Sequence, residues 1–258
     1  MTRKATSTDE TARQAFGRDW AKRLETFAEL TAKRAADLST EDVHHLRVTT
    51  RRLRASLWVL RHCVDNKSAQ RAHRELRAIG KVLGERRMWD IALRDAEAYG
   101  GKTGEIEKRG KRATARVKRA LWVGRGRGLV EDLRKMEKTI PGMMLERLAP
   151  WLQGYEWELA YRLLHRPKTP VERHELRIQA KKIRYVLECL GRRSLALEKL
   201  QDHLGREHDL AVVREIIGAK RGMARDERTS RASANRIMPR ALRSAMRQLH
   251  ALQKEIKR

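Results

Sequence analysis

The chain reads as an all-α protein: two antiparallel four-helix bundles related by an internal pseudo-twofold, with a central basic cleft. Three observations predict this. Apolar residues recur at helical spacing through most of the 258 residues, and no segment sustains the alternation of a strand. Short breaks containing Gly, Pro or Asn separate the helical stretches, as the turns of a bundle do. One stretch, at 43–60, is written a second time at 174–190.

Taken in order, residues 1–15 are charged and Thr-rich and are expected to be disordered; they hold no apolar run of the kind a secretory signal needs. Residues 16–38 place Trp20, Leu24, Phe27 and Leu30 on one helical face. Ser39 or Thr40 then caps the next helix, with Glu41 and Asp42 favourable in its first turn. That helix is expected to run to about Asp65 and Asn66. A third helix covers 69–83 and ends at Gly84; a fourth covers 88–98 and closes at Gly100-Gly101. Residues 105–123 are basic and weakly apolar, and the GRGRG run at 124–128 reads as a flexible break. The first half is thus 16–128. A linker follows at 129–141, with a short helix inside it and Pro141-Gly142 as its boundary. The second half, 142–258, begins with a long helix at 143–165 kinked at Pro150. Pro167 and Pro170 precede the second copy, and helices follow at 195–204, 207–217 and 235–257, with 222–233 polar and mobile. The six tryptophans, at 20, 58, 89, 122, 151 and 157, fall mostly at core positions.

The repeat carries the functional argument. His44, Arg47, Arg51 and Arg54 stand at i, i+3, i+7 and i+10, one stripe down a helix, while Leu46, Leu53, Leu57 and Leu60 form a separate apolar stripe. In the second copy His174 matches His44, Arg177 matches Arg47, Lys181 and Lys182 match Arg51 and Arg52, and Arg184 matches Arg54. A merely solvated face would not require histidine first and cations at the same four later positions twice. Both halves also carry a Leu-Gly pair ahead of an aspartate, Leu83-Gly84 before Asp90 and Leu204-Gly205 before Asp209. The aspartates are expected to cap a helix or to pair with the motif cations.

Lys and Arg number 60 against 33 Asp and Glu, a net charge of +27, so the partners to consider are polyanions: nucleic acid, inorganic polyphosphate and acidic membrane. No run approaches the roughly 18 apolar residues of a membrane span. Cys63 and Cys189 sit at the apolar ends of the paired helices and read as buried hydrophobes of a reducing cytoplasm. No zincin, P-loop or nucleophile-elbow motif occurs, His203 and His208 are not at metal-ligand spacing, and no carboxylate cluster for a divalent ion is visible. The expectation is a binding protein with no cofactor, metal or catalytic residue.

At the repeated helices the sequence resembles the CHAD family, the conserved histidine α-helical domain, whose pattern is a paired HxxRVxxRRLR-like helix, one in each half. The resemblance extends from about Phe16 to the C-terminus. It departs in the LG…D turn, where the first copy spaces Gly84 and Asp90 by six positions and the second spaces Gly205 and Asp209 by four. The resemblance implies inorganic polyphosphate as ligand, held by His44, Arg47, Arg51, Arg52, Arg54, His174, Arg177, Lys181, Lys182 and Arg184, with Lys81, Lys199 and His203 as a second tier. Both histidines would donate to phosphate more strongly when protonated. Residues 105–109, EIEKR, approximate the ExExK signature of the triphosphate tunnel metalloenzymes often fused to this domain. Arg109 replaces the Lys and the flanks are helical, so the fragment reads as an exposed helix and the protein as a free-standing CHAD domain. The expected setting is the cytoplasm, on polyphosphate or storage granules. The alternatives are non-specific nucleic-acid binding, which the charge equally supports but no recognition motif does, and a polyphosphate-processing enzyme.

Overall fold

A computed structural model describes residues 11–33, 38–64, 67–122 and 126–257. Among them the chain forms nine α-helices and no strand: α1 Ala12–Ala32, α2 Thr40–Cys63, α3 Lys67–Ala98, α4 Gly104–Trp122, α5 Gly126–Glu137, α6 Ala149–Leu164, α7 Pro170–Cys189, α8 Leu195–Ile217 and α9 Met223–Ile256. Local chemistry sets several starts. Thr11 and Gln14, Ser39 and Asp42, and Thr169 and Glu172 form capping boxes at α1, α2 and α7, each satisfying two otherwise orphaned amides. Lys33 lies 2.7 Å from the Asp42 carboxylate, which this bond and the Ser39 amide pull down to about 2.

One apolar core draws on every helix, through Phe16, Leu53, Leu76, Val117, Leu133, Leu159, Leu187, Leu200 and Leu249. Both sequence halves therefore share it. A smaller core joins α3 and α4 to α8 and α9 through Trp89, Ala92, Ile106, Leu210 and Met223. Cys63 and Cys189 are buried free thiols, and burial pushes Cys63 up to about 12.

Several element boundaries differ from the expectation. Gly84 does not end a helix: α3 runs unbroken through it. A helical glycine costs about 1 kcal/mol against alanine, which buried Leu76, Ile79 and Leu83 on the same helix outweigh. Gly205 is likewise inside α8. Pro150 starts α6 and kinks nothing, because the first turn needs no amide donor there. Residues 223–233 belong to α9, with Gly222 as its N-cap, and not to a mobile segment; Asp226 accepts from the Tyr99 hydroxyl, and Arg231 donates to Glu207 and Glu227. The short helix expected inside 129–141 is α5, which starts earlier, at Gly126, and buries Leu129, Leu133 and Met136. Residues 124 and 125 of the GRGRG run, Asp65 and Asn66, and residues 1–10 lie outside the described residues; residues 126–128 of that run are not a break but the first turn of α5, and α1 already begins at Ala12. Trp20 and Trp89 are core, but Trp151 and Trp157 are exposed, on the solvent side of α6.

Candidate polyanion-binding site

The two repeated stripes lie on α2 and α7, and these helices pack directly against each other. Their apolar stripes, Leu46, Leu53 and Leu57 on one and Leu176, Ile183 and Leu187 on the other, are sunk in the shared core. That burial orients the cations, since a helix that buries one face must present the next along its flank.

Arg47, Arg51, Arg177 and Lys181 come within electrostatic reach of one another. Each carries its charge into a half-buried setting. Burial first, then the neighbouring Arg51 and Arg177, draws Arg47 down to about 10, so it remains cationic at neutral pH. Burial and the guanidiniums of Arg177, Arg51 and Arg47 bring Lys181 down to about 7. One carboxylate, Asp209 of α8, answers this group; burial pushes it up, against Arg177, Lys181, Arg94 and Arg47. Among the described residues four cations face one acid, an arrangement that costs free energy and that an added anion would relieve.

Gly84 explains how Arg47 fits. A Cβ at that position would stand 3.2 Å from the Arg47 guanidinium, so the glycine opens a seat for it against α3. This is the use of the Leu83-Gly84 pair that the sequence presents as a turn. Asp90, six residues on, pairs with Arg86 on its own helix, whereas Asp209 does reach the motif cations.

On one side of the α2–α7 seam a cavity of about 450 Å³ opens between α2, α3, α6 and α7. Arg51, Arg54, Lys181 and Lys182 line it, with Arg61, His73, Trp58 and Tyr155, which sequence reasoning missed. Arg61 continues the stripe of His44, Arg47, Arg51 and Arg54 by two further turns and could have been found by extending it. His73 and Tyr155 come from other helices and leave no local signal. Tyr185 lies between Arg51 and Arg184, whose guanidinium carbons stand 5.5 and 4.6 Å from its ring centre. A second, smaller hollow of about 120 Å³ holds His174, Arg177 and His208. The His174 and His208 rings lie 5.1 Å apart, and burial with Arg177 beside it takes His208 down to about 4.

The candidate residues do not all gather. Arg52 and Arg184 both turn to Glu188, at 3.3 and 3.2 Å, and so arrive already paired. His44 lies at the far end of the stripe beside Arg87; burial and that guanidinium lower its pKa, so its protonation asks for more acid than an ordinary histidine. Lys81 and Lys199 are exposed, His203 is half-buried, and none of the three lines either cavity. By contrast Arg47, Arg51, Arg54, Arg177, Lys181 and Lys182 form no ion pair with a described carboxylate, while surface arginines such as Arg109, Arg193 and Arg214 do. Glu105 takes its place in that surface pairing, on the exposed start of α4. Among the described residues no three His, Cys, Asp or Glu side chains stand together as a metal-holding group, and no helix is long and apolar enough to cross a membrane.

Among solved structures, the chain is similar to the crystal structure of the CHAD domain from the plant Ricinus communis, at TM-score 0.65 and 22% identity over 96% of this chain and 94% of that one. It is similar also to PptA from Streptomyces chartreusis, at TM-score 0.65 and 14% identity over 96% and 98%. Identities this low establish a shared fold. No curated protein matches. The family model for the CHAD domain matches residues 18–218, which include both motif helices, both Leu-Gly pairs and Asp209, and the chain belongs to the CHAD domain family.

Proposed function

We propose that this protein binds inorganic polyphosphate without transforming it, along the seam of α2 and α7. The observation that carries the reading is the set of six cations on that seam, Arg47, Arg51, Arg54, Arg177 and Lys181 half-buried and Lys182 exposed, that meet no ion-pair partner among the described carboxylates and have only Asp209 within electrostatic reach of the central group. A polyphosphate chain offers closely spaced charges and no base edges, so guanidinium forks and ammonium groups suffice to hold it. Each direct charge-assisted contact is worth roughly 1.5–3 kcal/mol. Arg47, Arg51, Arg177 and Lys181 form the central grip. Arg54 and Lys182 extend it into the larger cavity and His174 into the smaller one. Arg52 and Arg184 act through Glu188, holding Tyr185 and the two helices together. The two halves, 16–128 and 142–258, related by a pseudo-twofold, belong to the same proposal and rest on the sequence repeat. A cytoplasmic setting on polyphosphate-containing granules follows from the ligand.

The test is a competition between long-chain polyphosphate and duplex DNA at one salt concentration. Polyphosphate is expected to displace DNA at well below equal phosphate, because a single slim phosphate chain can follow half-buried cations that a rigid duplex meets only from outside. Log affinity should fall linearly with log salt, as counterion release requires. Equal competition, phosphate for phosphate, would favour the alternative of non-specific nucleic-acid binding.

A further inference from the structure

The larger cavity has a wall that a phosphate chain does not use. Beside its cations stand Trp58 and Tyr155, their ring centres 5.7 Å apart, with Ala55, Ile178 and Val186 as apolar neighbours. An inorganic anion gains nothing from covering aromatic and aliphatic surface, whereas a purine ring would stack on it and remove it from water. The Nε–H groups of Arg51, Arg54 and Arg61 and the hydroxyl of Tyr185 are buried there without a hydrogen-bond partner among the described residues. Arg61 lies within electrostatic reach of Tyr155, at the aromatic end, while Arg51 and Lys181 connect the cavity to the central cations. A volume of about 450 Å³ suits a nucleotide-sized ligand.

We infer that this cavity is a site for a nucleoside polyphosphate, its base on Trp58 and Tyr155 and its phosphates on Arg51, Lys181 and Lys182. The inference rests on the seam being a phosphate-binding surface and adds to it a subsite for a base. It makes a phosphate chain ending in a nucleoside a better ligand than the bare chain of equal length.

The experiment titrates the full-length protein with ATP and with inorganic tripolyphosphate, without divalent ions, in the wild type and in Tyr155→Leu. The two ligands carry the same three phosphates, and tripolyphosphate has the greater charge. ATP is expected to bind at least as tightly, and Tyr155→Leu to weaken ATP about tenfold while changing tripolyphosphate less than about twofold. An affinity ratio that Tyr155→Leu leaves unchanged overturns the inference and leaves the phosphate seam standing. Binding of neither ligand overturns both readings. Should Tyr155→Leu fail to fold, saturation-transfer NMR on the wild type decides. Adenine ring protons saturated from the protein's aromatic resonances support the subsite, and their silence beside a bound triphosphate refutes it.

Discussion

Lys181 offers the sharpest test of the seam. Its ammonium is brought down to about 7 by burial and by Arg177, Arg51 and Arg47, with Asp209 a partial counterweight. A polyphosphate beside it restores the missing counter-charge and raises its pKa again. Above pH 7 the complex therefore holds a proton that the free protein has lost, and affinity must fall as pH rises. At pH 8.5 the free protein is about 1.5 units above its Lys181 pKa, so protonation costs about 2 kcal/mol at 1.36 kcal/mol per unit, some thirtyfold in affinity. Below pH 7 the lysine is already charged and its contribution is flat. His208 and His73, both brought down to about 4 by burial and neighbouring cations, titrate in a separate acid range. Isothermal titration in buffers of different ionisation enthalpy measures the proton directly. Uptake of about one proton is expected at pH 8.5 in the wild type and about none in Lys181→Arg, which keeps its charge throughout. Wild-type affinity that does not change between pH 7 and 8.5, with no proton uptake, would refute the reasoning. In the absence of ligand the sign is opposite. A depressed lysine pKa means the unfolded chain binds the extra proton, so this group's contribution to stability grows as pH rises above 7.

Two variants of equal charge loss separate the seam from overall charge. Removing Arg47, Arg54, Arg177 and Arg184 should weaken polyphosphate binding at least tenfold more than removing Lys108, Arg109, Lys111 and Arg112 from the exposed face of α4, read by anisotropy at fixed salt. Glu207→Ala strands the buried Arg173 guanidinium, which now donates to it at 2.8 and 3.0 Å; a loss of about 3–5 kcal/mol should lower the melting temperature by about 10 °C. Gly84→Ala should raise stability by up to about 1 kcal/mol through helix propensity, since only the tip of the Arg47 side chain must yield, and should weaken polyphosphate binding for that same reason; calorimetry and anisotropy read the two effects.

Helical class, the two motif helices and the identity of their cations were legible in the sequence because they are local. A period of 3.6 residues assigns each side chain to a face whatever the rest of the chain does, and a repeat with matching His and Arg positions exposes itself by comparison. Capping at Ser39 and Thr169 is local in the same sense. Which cations are free is not local. Arg52 and Arg54 are two positions apart, yet Arg52 meets Glu188 from α7 and Arg54 lines the cavity, because only the packing of α7 on α2 puts a carboxylate on one side of the seam and a void on the other. Gly84 looks like punctuation until α2 lays Arg47 against it. Trp58 and Tyr155 carry the same helical spacing as core residues; it is the distance left between α2, α6 and α7 that turns them into a cavity wall. Lys181 would be an ordinary lysine on an isolated helix, and it titrates near neutrality because packing takes its ammonium out of water and sets three half-buried arginines from two helices beside it.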